Sequence, residues 1–250
     1  MDKSLSNDAN EILPYKNDDK KVVQVEHMFD AIAPKYDSLN HTLSMGIDRA
    51  WRRKGILELE DLHPEQILDV ATGTGDLAIF AHKLLNTKHI LGIDISEGMM
   101  NVGRQKVCSM GLSDVISFEK QDCCQLSLSD NYFDAAMVAF GVRNFENLDA
   151  SLQEILRVLR PGGRLMILEL SSPKNFYIRQ LYTIYSKLII PFVGRLVSNN
   201  KAAYSYLPKS VKAFYQGKDM VDILTKNGFV DAQYQTFTFG ICSMYLGTKK

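Results

Sequence analysis

Five short apolar runs, at residues 67–71, 89–93, 115–119, 133–140 and 164–170, occupy the middle of this 250-residue chain. Helical patterns at 76–85, 97–110 and 148–159 lie between them, the last stopped by Pro161-Gly162-Gly163. Buried strands of roughly four to eight residues that alternate with helices of about 10–15 predict a parallel sheet with helices on both faces. The end of the chain reads differently. A helix at 219–226 is closed by Gly228, and residues 229–237 and 240–248 form an antiparallel pair. The expected fold is therefore a doubly wound α/β domain: a seven-stranded, mostly parallel sheet with an antiparallel last strand.

Upstream, Val22, Val25, Met28, Phe29 and Ile32 share one helical face, and Pro34 should end that helix. A second helix is expected at 48–59. Residues 1–21 read as a flexible polar tail. Residues 22–250 read as one domain, with a helical lid at 22–60 and an insertion at 173–216 that fits neither the parallel nor the antiparallel pattern.

Composition removes several function classes. A hydrophobic fraction of 46% with 23% charged excludes a disordered chain. Lys+Arg and Asp+Glu both number 29, and a net charge of zero argues against a nucleic-acid partner. The four cysteines, Cys108, Cys123, Cys124 and Cys242, include an adjacent pair and lack metal-ligand spacing. Free thiols, no metal and a reducing, cytoplasmic setting follow as expectations. The N-terminus has no apolar core for a signal peptide, and no run of about 18 apolar residues occurs.

The most informative local segment is Ile67-Leu68-Asp69-Val70-Ala71-Thr72-Gly73-Thr74-Gly75-Asp76. A strand runs into a glycine turn and then a helix, so backbone can approach a ligand closely. Ala78 stands where a dinucleotide fingerprint has its third glycine, which that fingerprint tolerates, and no Lys follows the turn as a P-loop requires. Asp94 ends the second strand nineteen positions after Gly75, where a carboxylate accepts from both hydroxyls of a ribose; Ile95 follows it. NAD and S-adenosylmethionine are the two candidates. Asp69 and Asp76 would repel a pyrophosphate and suit a cation, which favours S-adenosylmethionine. The alternative for Asp76 is a helix cap. Asp122, after the third strand, is placed to accept from the adenine amine, with the Cys123 backbone N–H beside it.

Three further segments carry a resemblance: Tyr36-Asp37-Ser38-Leu39-Asn40-His41-Thr42-Leu43-Ser44 with the single Trp51; Phe140-Gly141-Val142-Arg143-Asn144; and Arg157-Val158-Leu159-Arg160-Pro161-Gly162-Gly163-Arg164-Leu165 with Leu168-Glu169-Leu170-Ser171. With the glycine turn, they resemble the menaquinone/ubiquinone-biosynthesis C-methyltransferases, within the Rossmann-like class I S-adenosylmethionine-dependent methyltransferases. The resemblance runs from about Val22 to the C-terminus. Leu39 and Asp48 depart from it, where the family usually has Met and often has His. Carried over, the cofactor positions are Thr74, Asp94, Asp122, Cys123 and Ala139. The implied reaction is methylation of a ring carbon in a polyprenyl naphthoquinol, demethylmenaquinol to menaquinol; a benzoquinol or another small aromatic acceptor is the alternative. No Asn/Asp-Pro-Pro-Tyr/Phe sequence follows the fourth strand, which argues against methylation of a nucleic-acid base.

The reaction so implied needs a group that stabilises a quinolate, and Arg143, just past the fourth strand, is the expected one. Asn144 is expected on the other ring oxygen, with Tyr36, Asp37 and Asn40 coming from the N-terminal helices; His41 is a candidate proton acceptor through water. Residues 170–218 hold eight basic and no acidic side chains and six of the eleven tyrosines, so the rest of the chain carries a net charge of minus eight. The implied polyprenyl tail makes a membrane surface the expected partner of this segment, with Leu181, Ile184, Tyr185, Leu188, Ile189 and Phe192 along a tail groove. A lid that buries the same face against the domain or against a second subunit, as in a homodimer, is the alternative.

Overall fold

The computed structural model describes residues 12–15, 17–185 and 201–250, the side chains of Lys201 and Tyr204 excepted. Residues 1–11 of the expected tail, and Leu188, Ile189 and Phe192 of the expected groove, lie outside them. Three helices come first: α1 (Lys21–Ile32), α2 (Tyr36–Leu43) and α3 (Ile47–Leu57). The alternating portion follows: β1 (Gln66–Val70), α4 (Asp76–Leu85), β2 (His89–Asp94), α5 (Glu97–Ser109), β3 (Ile116–Lys120), β4 (Phe133–Ala139), α6 (Leu148–Val158) and β5 (Leu159–Leu170). Then come α7 (Phe176–Ile184), α8 (Lys201–Ala213), α9 (Lys218–Lys226), β6 (Phe229–Phe237) and β7 (Cys242–Lys249).

The seven strands are ordered β3-β2-β1-β4-β5-β7-β6. β1 to β5 run parallel, and β7 enters between β5 and β6, antiparallel to both. Apolar side chains fill both faces of the central strands, which are covered on each side, whereas the edge strand β6 is largely exposed. Ile155, Leu152 and Leu224 pack with Leu68 and Val138 on one side; Ile56, Ala78 and Leu246 pack with Ile67 and Met137 on the other. Strand order reverses between β1 and β4, the position where open α/β sheets bind ligands at their carboxyl ends.

Both strand ends there are unusual. Ala71 and Phe140 follow β1 and β4 with φ of 53° and 61°, a region that side chains seldom occupy and that clusters at binding sites. They are held in close quarters: a Cβ on Gly141 would lie 2.6 Å from the Ala71 Cβ.

Three features differ from the sequence reading. The helix Tyr36–Leu43 is a separate element inside the expected helical lid, between the helix ended by Pro34 and the one expected from residue 48. Pro161-Gly162-Gly163 does not separate helix from strand: α6 ends at Val158, and β5 passes through this segment as a bulge, with Phe133 opposite Leu159 and Ala135 opposite Arg164. Among the described residues before α1, Tyr15, Asn17 and Asp19 are tied down rather than free. Gln24 accepts from the Tyr15 N–H at 2.9 Å and donates to the carbonyls of Asn17 and Asp19 at 3.3 and 2.8 Å.

The N-terminal helices are fastened across the ligand-binding edge by polar contacts. Asp30 of α1 accepts from the Ser96 hydroxyl at 2.6 Å and the Gly98 N–H at 2.9 Å, which sets an anion at the start of α5. Ser96 also caps that helix, accepting from Met99 N–H. Asp37 of α2 accepts from the Thr74 hydroxyl at 2.5 Å and from Lys106 at 2.8 Å.

Candidate active site

Two cavities lie over the carboxyl ends of the strands. The smaller, of about 70 Å³, is lined by Gly73, Asp94, Ile95, Met99, Asp122, Cys123 and Ala139 among others. Asp94 sits at the tip of β2, one carboxylate oxygen accepting from Gly73 N–H at 2.8 Å and the other from Ser96 N–H at 2.9 Å. A carboxylate has about four lone-pair sites, so one remains on each oxygen for a pair of hydroxyls. Burial pushes its carboxyl above the ordinary range, and the Ser96 and Gly73 N–H groups oppose that shift. The donor set therefore fits an adenosine: paired acceptors for a ribose, Ile95 and Met99 as apolar walls, and Asp122 at the far end.

Asp69, Thr74 and Gly75 stand behind this wall. Asp69 is fully buried and accepts from the Thr72 hydroxyl at 2.6 Å, and burial raises its carboxyl to about 7. Asp76 is not the cap, a position held by Gly75, and lines neither cavity; it pairs with Lys106 and lies 3.3 Å from His41 Nε2. Neither acid lines either cavity: Asp69 is turned into the core and Asp76 is ion-paired, so the geometry adds nothing to the charge argument made for them. Thr74 is buried and directed to Asp37.

The larger cavity, of about 160 Å³, is walled mainly by apolar groups such as Met28, Ile32, Leu39 and Trp51. Phe29, Tyr36 and Phe140 line both cavities, so the two spaces meet at these rings. Arg143 enters the larger one from the short turn Val142–Asn144. Its Nη1 donates to Glu169 Oε1 at 2.6 Å and to the Phe140 carbonyl, and its own N–H reaches Glu169 Oε2 at 3.3 Å. Burial works against its charge, but Glu169, Tyr36 and Tyr206 more than offset this and hold it protonated. Its buried Nε has no hydrogen-bond partner in the structure. Arg52 lies over the Phe140 ring and pairs with Asp48, which is buried in the same wall.

Tyr36 and Asn40 line the larger cavity, whereas Asp37 lines neither and serves the Thr74–Lys106 contact. Asn144 lines the smaller cavity, not the larger, and its side-chain oxygen accepts from Tyr206 at 3.0 Å. The tyrosines of the basic segment close the larger space. Tyr182, Tyr185 and Tyr206 line it, and burial pushes the phenols of Tyr182 and Tyr206 to about 12.

Sequence reading missed Glu169, Arg52 and Tyr206. Glu169 carried a signal, since a charge that follows the apolar run Leu165–Leu168 in a buried strand must find a partner. Cys123 and Cys124 both lie 3.3 Å from Ser151 Oγ, and with Asp122 they bring three ligating atoms within 4.8 Å of one another, which spacing rules alone passed over.

The model of the ubiE/COQ5 methyltransferase family matches residues 15–249. A demethylmenaquinone methyltransferase of Bacteroides fragilis is 57% identical over 238 residues, 95% of this chain and 97% of the relative. A ubiquinone/menaquinone biosynthesis C-methyltransferase UbiE of Geobacter sulfurreducens is 39% identical, covering 92% of this chain and 90% of its own. Among solved structures, an S-adenosylmethionine-dependent methyltransferase of Thermotoga maritima superposes with a TM-score of 0.59 at 19% identity, over 90% of this chain and 99% of that one.

Proposed function

The chain belongs to the ubiE/COQ5 methyltransferase family, and from that premise we propose how its two cavities divide the work of methylating demethylmenaquinol to menaquinol. It is an S-adenosylmethionine-dependent methyltransferase of quinone biosynthesis. The smaller cavity holds the nucleoside on Asp94, Ile95, Asp122 and Cys123, and the larger holds the quinol. The observation that carries this division is the shared wall of Phe29, Tyr36 and Phe140, the one place where a methyl passes from one space to the other.

Bound S-adenosylmethionine supplies a methyl group already activated on a sulfonium. The protein's task is to make a ring carbon nucleophilic and to align it. Arg143, permanently charged and fixed by Glu169, favours the quinolate over the neutral quinol. Tyr36, kept a neutral phenol by burial, donates at the junction. The apolar walls exclude water that would compete for the methyl and screen the charge.

The test is methylation of reduced demethylmenaquinol against a demethylated benzoquinol under one set of conditions. We expect kcat/KM to favour the naphthoquinol at least tenfold. Equal or reversed preference overturns the substrate assignment and favours the benzoquinol reading, for which the UbiE relatives are the motive.

A peripheral seat on the inner face of the cytoplasmic membrane belongs to the same reading. On α7, Tyr182 faces the larger cavity while Phe176, Tyr177, Leu181 and Ile184 are exposed. No helix among the described residues is long and apolar enough to cross a membrane. An amphipathic helix rich in aromatics beside a lipid-substrate cavity fits the headgroup level. Sedimentation with anionic vesicles should carry the protein down, and Leu181→Asp with Ile184→Asp should release it. No binding at low salt, with a dimer by light scattering that the same pair disrupts, would favour a second subunit instead.

A further inference from the structure

Each methyl transfer releases one proton into a cavity walled mainly by apolar side chains. The new carbon–carbon bond takes the methyl, the electron pair of the methyl–sulfur bond stays on sulfur, and the quinol yields one hydrogen as H⁺. Products are a neutral thioether, a neutral methylquinol and that proton. We propose that the proton leaves by a built path, from buried Asp48 in the cavity wall through the His41 ring to the partly exposed Asp76. This rests on the quinol C-methylation reading above.

Asp48 is the one carboxylate among the described residues that line the larger cavity. The other charged groups there, Arg52 and Arg143, have no free acceptor, and Tyr36, Tyr182 and Tyr206 stay protonated because burial raises their phenols. Ser44, also in the wall, donates to Asp48 Oδ1 at 2.5 Å, and its hydroxyl oxygen, which accepts from the Gly46 N–H at 3.2 Å, keeps one lone pair with which to receive. Asp48 Oδ2 lies 3.1 Å from His41 Nδ1, and His41 Nε2 lies 3.3 Å from Asp76 Oδ2. Side-chain exposure is 5% at Asp48 and about a quarter at the two groups beyond it, 25% at His41 and 22% at Asp76.

Imidazole suits the middle position because it takes a proton on one nitrogen and releases it from the other. The surrounding charges favour passage over retention. Burial alone would raise the Asp48 carboxyl, but Ser44, Arg52 and His41 together hold it below the ordinary range. At the outer end, Asp76 faces Lys106 of α5, which also binds Asp37 of α2. His41 thus meets charges from α3 and α4 directly and from α5 through Asp76. A purely mechanical role, tying α2 to α4, predicts different kinetics, which the test separates.

The experiment uses the full chain with whichever quinol the wild type methylates. His41→Gln keeps one hydrogen bond but cannot relay. At saturating substrates we expect kcat to fall about 10–100-fold, both KM values to stay within threefold, and the solvent deuterium isotope effect on kcat to rise. His41→Ala should recover turnover with added imidazole, saturably, and substituted imidazoles should rescue in the order of their basicity. Melting curves of both variants before substrate addition establish that they are folded. Unchanged kcat and isotope effect overturn the path. So does a loss in kcat and both KM values that imidazole fails to restore, since that marks a structural tie. A wild type inactive on every quinol overturns the substrate reading and the path together.

Discussion

Arg143→Met is expected to lower kcat about 10²–10³-fold, the usual effect of deleting one preorganised group that stabilises developing charge, with S-adenosylmethionine affinity changed less than threefold. The second half follows from position, because Arg143 lines the larger cavity and not the nucleoside cavity. The experiment needs a control for folding. Glu169 is 1% exposed, and losing Arg143 leaves its carboxylate with only the N–H groups of Leu170 and residue 143. Orphaning a buried ion-pair member costs about 3–5 kcal/mol. The double variant Arg143→Met/Glu169→Gln removes the unpaired charge and should recover most of the lost stability. It should not recover turnover, because the missing group is the guanidinium itself. Steady-state kinetics, calorimetry and thermal melts on the three proteins separate these effects. Full activity in the double variant would show that the ion pair is architecture only.

The strands were legible because buried parallel strands are apolar throughout, and the glycine turn because a strand, two glycines and a helix in that order mark a nucleotide-type cofactor site. Helix Tyr36–Leu43 left a weaker trace: its one apolar face, Tyr36, Leu39 and Leu43, spans only two turns among five polar residues, and tertiary contacts to Thr74, Lys106 and Asp76 hold it. Pro161-Gly162-Gly163 looked like a boundary since Pro and Gly usually end elements. Here the segment bulges where β5 passes Asp134, which β4 alone does not reveal. Within the site, Asp94, Ile95, Asp122 and Cys123 lie on one cavity wall as their spacing suggested. Asp69 and Asp76 carried a charge argument that sequence could not check, because the answer depends on which way each side chain turns and on Lys106, thirty positions away. Arg52 and Asp48 were invisible as a pair for the same reason: neither motif names a partner, and a surface i,i+4 ion pair has the same spacing as this buried one.

Asp94→Ala carries the other large expected effect, with the opposite signature: affinity for S-adenosylmethionine falls about 100-fold, close to 2.8 kcal/mol, while kcat at saturation stays within several-fold. Each hydrogen bond to a charged acceptor contributes about 1.5–3 kcal/mol, and two ribose hydroxyls lose theirs together; water replaces part of that. The substitution also frees the N–H groups of Gly73 and Ser96 from their acceptor, which loosens the glycine turn against β2. Asp94→Asn tests this second contribution: its volume is unchanged, yet the amide nitrogen sets a donor against one of those two donors. We expect it to bind more weakly than wild type and to melt earlier than the alanine variant. The raised carboxyl adds a pH dependence with a definite sign. Protonation removes an acceptor that the ribose needs, so affinity falls as pH drops through the Asp94 transition, and bound cofactor, favouring the carboxylate, moves that transition to lower pH. Calorimetric affinity that is flat on acidification in the wild type, or equal between wild type and Asp94→Ala, would remove Asp94 from the ribose site.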